Sequence, residues 1–235
     1  MIYSGLSKRL GSVAQLVRQG ARFADIGTDH AYLPIFLLKQ GIISEAVCSD
    51  INEGPLSSAK RNAVESGVSA KMSFYLSDGA DALSGLGITD YAICGMGGEL
   101  IADIVDRASE MKNEGVNIIL QPMTKQGHLR RYLASSGYKI TCESYCTDAG
   151  KNYVCMLAFY DGQVRDISDF EAEFGSENCE IVNISSQILY LKGKIRAFSK
   201  IADGKISGGD DASLELSLVR DAERRIEKIR KLLQP

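Results

Sequence analysis

The sequence has no tryptophan, two histidines, four prolines and no marked excess of either charge. Two histidines leave little room for a His-rich metal centre. A net charge of −3, from 27 basic and 30 acidic residues, excludes a polycation and an acidic disordered tail protein. No stretch approaches the roughly 18 apolar residues that a membrane span needs. The first residues, Met1 to Arg9, carry no apolar segment behind a basic start, so no secretory leader is expected. The cysteines, Cys48, Cys94, Cys142, Cys146, Cys155 and Cys179, contain no C-x-x-C pair and no nearby histidine. They read as reduced thiols acting as small hydrophobes, in a cytoplasmic chain without a metal.

What is present is a composition that is 45% hydrophobic and 24% charged over 235 residues, with 23 glycines. That is a soluble globular protein of one main domain with an appendage. Leu6, Leu10, Val13 and Val17 recur at helical spacing and predict a helix over 6–19. Short apolar strands then alternate with helices. Strands are expected at 22–27, 46–50, 72–76, 91–94 and 117–120, with helices at 32–40, 56–66, 99–112 and 126–135. This rhythm predicts βαβ units and a parallel sheet covered on both faces. Runs at 138–145 and 153–160 flank the turn-rich segment 147–152, an expected β-hairpin that finishes the sheet antiparallel.

No strand is expected from Asp169 onward. Ile181, Ile184, Ile188, Leu191, Ile195 and Phe198 follow a heptad pattern. Residues 203–211 are polar and glycine-rich, and Leu218, Ala222, Ile226, Ile229 and Leu233 mark a second helix. Two helices so joined predict an antiparallel α-helical hairpin resembling a coiled coil. The expected division is residues 1–162 and 163–235.

In an open α/β sheet a ligand lies at the carboxyl ends of the strands, where strand order reverses. The residues there are Asp25, Gly27, Thr28, Asp29 and His30, then Asp50, Ile51 and Asn52, then Asp78 and Gly79. The fourth strand supplies Gly95, Met96, Gly97 and Gly98, and the fifth Gln121 and Pro122. Pro34, Pro55 and Pro122 fall on the same edge. Asp50 is placed to accept hydrogen bonds from ribose hydroxyls. A pyrophosphate needs G-x-G-x-x-G. Here Asp29 and Ala31 stand where further glycines would be, and an acid repels phosphate. The loop suits a cationic cofactor with ribose and base but no phosphate. S-adenosylmethionine fits, with Asp78 facing the adenine amine and Gly27 allowing close backbone approach. Asp29 opens a helix, where it either caps the N-terminus or faces a substrate.

Asp25 to Pro34, Gly54 to Lys60, Gly95-Met96-Gly97-Gly98 and Leu120-Gln121-Pro122 resemble the bacterial tRNA (adenine-22-N1)-methyltransferase family, and so does Leu6-Ser7-Lys8-Arg9-Leu10. The resemblance covers about residues 6–160 by motif and the tail in character only. It implies a class I methyltransferase: α/β, Rossmann-like, mostly parallel, here expected with seven strands. It also implies S-adenosyl-L-methionine as donor and a C-terminal coiled-coil-like domain that helps hold tRNA. By resemblance and by position, Asp29 is the expected catalytic carboxylate.

Enzymes that methylate an exocyclic amine commonly carry an Asn-Pro-Pro-Tyr-like loop after the fourth strand. Gly-Met-Gly-Gly in its place favours a ring nitrogen. Adenine N1 has a free lone pair, and a carboxylate stabilises the charge that develops on the purine. A paired target must be flipped out of the helix. The expected tRNA contacts are Lys8 and Arg9 on an N-terminus whose cations, with Arg18 and Arg22, are unmixed with acids, then Gln121 and Pro122. On the tail they are Lys192, Lys194, Arg196, Arg224 and Arg225, and Lys125, Arg130 and Arg131 form a further basic cluster. The expected partner is tRNA, with no membrane, and the chain is read as a monomer with weak dimerisation left open. Three alternatives stand: a methyltransferase of a small molecule or protein, a nicotinamide-dependent oxidoreductase, and a non-catalytic RNA-binding module.

Overall fold

The structure, a computed structural model, describes residues 5–233. The reading that no leader is present falls partly on positions 1–4, outside the described residues. Ser7 caps α1 (Lys8–Ala14), its Oγ accepting from the Leu10 N–H at 3.2 Å. Leu16 and Val17 are buried beyond the end of this helix, so the apolar spacing overran it.

The alternation then unfolds as β1 (Arg22–Ile26), α2 (Tyr32–Lys39), β2 (Glu45–Asp50), α3 (Glu53–Glu65), β3 (Met72–Leu76), β4 (Asp90–Gly97), α4 (Gly98–Arg107), β5 (Asn117–Thr124) and α5 (Gln126–Ser135). The hairpin is β6 (Tyr138–Asp148) and β7 (Lys151–Tyr160). Its turn is only Ala149-Gly150, with φ 47° and 76°. Two positive φ values make the tight turn that matches strand twist. Thr147 and Asn152, expected in a loop, pair across the ladder instead.

The tail contributes α6 (Asp169–Phe174), β8 (Glu180–Val182), α7 (Ile184–Gly208) and α8 (Ser213–Leu232). Among the described residues the sheet has eight strands in the order β3-β2-β1-β4-β5-β7-β6-β8. It is one strand larger than expected because β8 pairs parallel with β6. The fold class is otherwise as read: five parallel strands, with order reversing between β1 and β4. Ile181, placed in the heptad stripe, lies in β8. The expected break at 203–211 is mostly helix, and α7 ends only at Gly208, before Gly209 at φ 81°. Ala202, just before this segment, is buried, and Lys205 within it pairs with Glu215 of α8 at 2.7 Å. Those contacts offset the cost of the helical glycines.

The pleat sorts the core. Ala24, Ile26, Ile118 and Leu120 pack with residues of α4, α5 and the tail, including Tyr190, Leu191, Leu218, Ala222 and Ile226. Phe23, Ala46, Cys48, Ala92 and Ile119 face the other way, toward α1, α2 and α3. Alternation of this kind is what a two-faced sheet requires.

Candidate active site

A cavity of about 810 Å³ opens at the carboxyl ends of β1 to β4, on the edge where strand order reverses. It brings together Asp25, Gly27, Thr28, Asp29, His30, Asp50, Ile51, Asn52, Asp78, Gly79, Gly95 and Met96. Arg9 also lines it.

The first loop does not form a phosphate cradle. The Gly27 and Thr28 N–H groups both donate to the Ser49 carbonyl, at 2.8 and 3.0 Å, and the Ala31 N–H donates to the Thr28 carbonyl at 2.6 Å. Amides spent on the fold are not offered to an anion. Gly27 has φ 74°, and a Cβ there would collide with the Met96 methyl. Asp29 and Ala31 are also left-handed, at φ 34° and 57°. Asp29 is therefore not the cap of α2. That helix begins after Ala31 with no side-chain cap. The left-handed turn carries Asp29 ahead of the helix, its side chain 70% exposed and its Oδ1 3.5 Å from His30 Nε2. The His30 ring stacks on Tyr32 at 5.2 Å.

Four carboxylates surround the space. Asp25 is buried and accepts from the Thr28 hydroxyl at 2.7 Å. Burial pushes its pKa up to about 7; the Thr28 hydrogen bond works in the opposite direction and Asp50 adds repulsion. Asp50 accepts from the Asn52 N–H at 2.9 Å. Asp78 is held by Arg107 at 3.0 Å, and the same guanidinium holds Asp81 at 2.9 Å. A contact from Asp78 to an adenine amine would have to share its oxygens with Arg107. Exposed Ile51 and Tyr32 and half-exposed Leu100 supply apolar wall. Of these, Tyr32 and Leu100 went unnoticed in the sequence, because each reads as an ordinary helix residue until the loop before its helix is placed.

Ten expected site residues sit outside this cavity. Gly97 and Gly98 do not line the cavity. Gly98 packs on the Lys125 carbonyl, which a Cβ would strike, so helix packing requires it. Gln121 is 0% exposed and Pro122 is buried. Pro122 stands across from Met96, where the β4–β5 register shifts, and a residue without an N–H is tolerated at such an irregularity. Arg225 is 4% exposed along its side chain and donates to the carbonyls of Gly175 and Ser176. Lys194 pairs with Glu173 at 2.8 Å and lies over the Phe198 ring. Lys8 is exposed on α1 outside the cavity.

The basic runs are thus divided by use. Arg18 pairs with buried Asp90, and Arg130 is buried against Glu143 at 2.7 Å. Lys192 and Arg196, four residues apart and so on one helix face, line a second cavity of about 800 Å³ with Arg230. Arg224 is exposed and pairs with Asp221 at 3.1 Å. Among the described residues, no helix is long and apolar enough to cross a membrane.

Residues 6–156 match the family described as a methyltransferase domain. The chain is 36% identical over 153 residues to the tRNA (adenine(22)-N(1))-methyltransferase of Bacillus subtilis, covering 65% of this chain and 64% of that relative. The aligned stretch is therefore a little under two thirds of that relative's own length. A solved structure of TrmK from M. capricolum, in complex with the cofactor product S-adenosyl-homocysteine, is 30% identical with a TM-score of 0.72 and 97% of each chain covered. The structure of the B. subtilis M1A22 tRNA methyltransferase TrmK is 26% identical, with a TM-score of 0.71, 97% of this chain and 99% of that one covered.

Proposed function

Because the chain belongs to the methyltransferase-domain family, and within it to the tRNA (adenine-22-N1)-methyltransferases, we propose that it transfers a methyl group from S-adenosylmethionine to N1 of an adenine in tRNA. The observation that carries the chemistry is the cavity at the sheet's reversal point, ringed by Asp25, Asp29, Asp50 and Asp78. Its loop amides are spent internally. Such a site takes a cation bearing a ribose and repels a pyrophosphate. The donor set thus fits S-adenosylmethionine, and the relative from M. capricolum was solved with the matching product.

When bound, S-adenosylmethionine supplies an electrophilic methyl on a sulfonium. On this reading Asp50 receives the ribose hydroxyls, and Asp25, ionised by a nearby cation, holds the ammonium. Gly27 and Gly95 let a ligand approach the backbone closely. Ile51 covers an adenine face. Asp29 faces the acceptor: the adenine N1 lone pair would take the methyl as its bond to sulfur breaks and the electron pair returns to sulfur, and the Asp29 carboxylate would stabilise the positive charge left on the purine. No base is needed before attack, so the protein mainly aligns the reactants. Because N1 lies on the pairing edge, the base enters unpaired and flipped. The exposed basic groups of residues 163–235, with Lys8 and Arg9, hold the tRNA, and the protein works in the cytoplasm as a monomer.

Transfer of labelled methyl groups to bulk tRNA, followed by mapping of the modified base, tests this. Label on adenine N1 is the expected result. Label only on protein or small molecules would replace tRNA as the acceptor.

A further inference from the structure

Arg9 is the one lysine or arginine lining the cavity among the described residues. Its Nη1 donates to Gln121 Oε1 at 2.6 Å and lies 3.7 Å from the point where a Cβ on Gly95 would stand. Its backbone N–H donates to Asp148 Oδ2 at 3.2 Å, which ties α1 to the hairpin. Gln121 is fully buried. The Gln121 amide nitrogen is committed to the Pro122 carbonyl at 3.1 Å and the Met123 sulfur at 3.7 Å, so its oxygen is left for Arg9. Strand order puts β4 and β5 on one side of β1, and β2 and β3 on the other. Arg9 therefore stands beside the glycines of β4, away from Asp50 and Asp78.

We propose that Arg9 takes the phosphate flanking the methylated nucleotide, and that Gln121 is a positioning residue that holds the guanidinium there. The proposal rests on the reading that an adenine enters this cavity. Charge selects the phosphate over the base. Methylation at N1 leaves the adenine cationic, which an arginine repels, whereas the phosphate of the same nucleotide is an anion that a guanidinium pairs with. A neutral amide at position 121 orients Arg9 without cancelling its charge. A carboxylate there would neutralise it.

Equilibrium binding of tRNA across a salt series tests this without needing turnover. Arg9→Gln should weaken binding about tenfold and lower the salt slope by about one. Gln121→Leu and Gln121→Glu should weaken binding in the same direction. In the double variant Arg9→Gln with Gln121→Leu, the second change should add nothing, since Gln121 acts through Arg9. Calorimetry should show S-adenosylmethionine affinity that is not weakened in any variant, because none of the changes adds positive charge to a site for a cation or removes one of its carboxylates. An unchanged salt slope in Arg9→Gln, or a full additional loss from Gln121→Leu in that background, would overturn the proposal. A wild-type enzyme that methylates a base other than adenine would sink the adenine reading while the phosphate comparison stood.

Discussion

Asp25 is a carboxylate whose surroundings oppose its charge. Its pKa is pushed from 3.8 up to about 7, first by burial and then by Asp50, with Thr28 pulling the other way. Between those two values the folded chain keeps a proton that the unfolded chain has released, so each rise in pH costs stability until about pH 7. Asp25→Asn should therefore stabilise the ligand-free protein, and more so at about pH 8 than at about pH 5. Melting temperatures at the two pH values check this. Bound S-adenosylmethionine reverses the balance, because a cation favours the ionised form. Donor affinity should weaken as pH falls from about 8 to about 6, and Asp25→Asn should flatten that profile. A pH-independent Kd in the wild type would remove Asp25 from the donor contact. Asp29 makes a separate case. It is left-handed and is not a cap, and asparagine tolerates that conformation well. Asp29→Asn should keep the fold and donor affinity and lower kcat by about 10²-fold or more. Near-normal turnover would relieve Asp29 of its role. Both acids stand out in the sequence in the stretch that ends the first strand, but there Asp29 also reads as a helix cap, and it is the left-handed turn that removes that reading. The roles of Gln121 and Arg225 were not visible. Each reads as a tRNA contact until its distant partners, Arg9 for Gln121 and the carbonyls of Gly175 and Ser176 for Arg225, are placed.

Elements of this chain were legible where local pattern and packing agree. The five parallel strands and the hairpin follow from apolar runs separated by glycine-rich turns, and all were placed within a few residues of their observed spans. β8 was hidden. It is three residues long, and Ile181 within it happens to continue the stripe of the helix that follows. Its existence depends on the exposed edge of β6, which no local signal records. The segment that positions β8 is held by two arginines. Arg130 donates to the Ala172 carbonyl at 2.8 Å, and Arg225 to the carbonyls of Gly175 and Ser176. Together they satisfy the carbonyl-bearing end of α6, where positive charge is favoured. Burial opposes the charge on Arg130, but Glu143, together with Tyr190 and Tyr145, more than offsets this and keeps its pKa above the ordinary value. Arg130→Ala would leave Glu143 buried without a counter-charge. The expected loss is about 3–5 kcal/mol, a fall in Tm of roughly 10 °C by thermal scanning. Replacing the pair together, Arg130→Met with Glu143→Gln, should recover part of that loss. A single variant with unchanged Tm would show that the pair does not hold the tail to the sheet.

For the whole molecule, net charge is a poor guide to an RNA partner. The −3 total counts Arg18, Arg130, Lys194 and Arg225, whose charges are used inside the fold. The groups that matter are those left over. Lys192, Arg196 and Arg230 line the groove between α7 and α8, and none of the three is in an ion pair among the described residues; Glu223 and Glu227 line the same groove. The acids limit how much anion the groove attracts, and the three cations set how many phosphates it meets. Phosphate contacts made by these side chains release counterions and appear as a salt slope, whereas a solvated helix face leaves none. Converting all three to glutamine should weaken tRNA binding and lower the slope by about two to three. S-adenosylmethionine affinity should not change, since the donor cavity shares no lining residue with the groove. An unchanged slope would assign the groove to solubility and move the RNA path to the face that carries Lys8 and Arg9. A changed donor affinity would instead show that the tail and the sheet edge are coupled, through the core that Tyr190 and Leu191 share with Ile118 and Leu120.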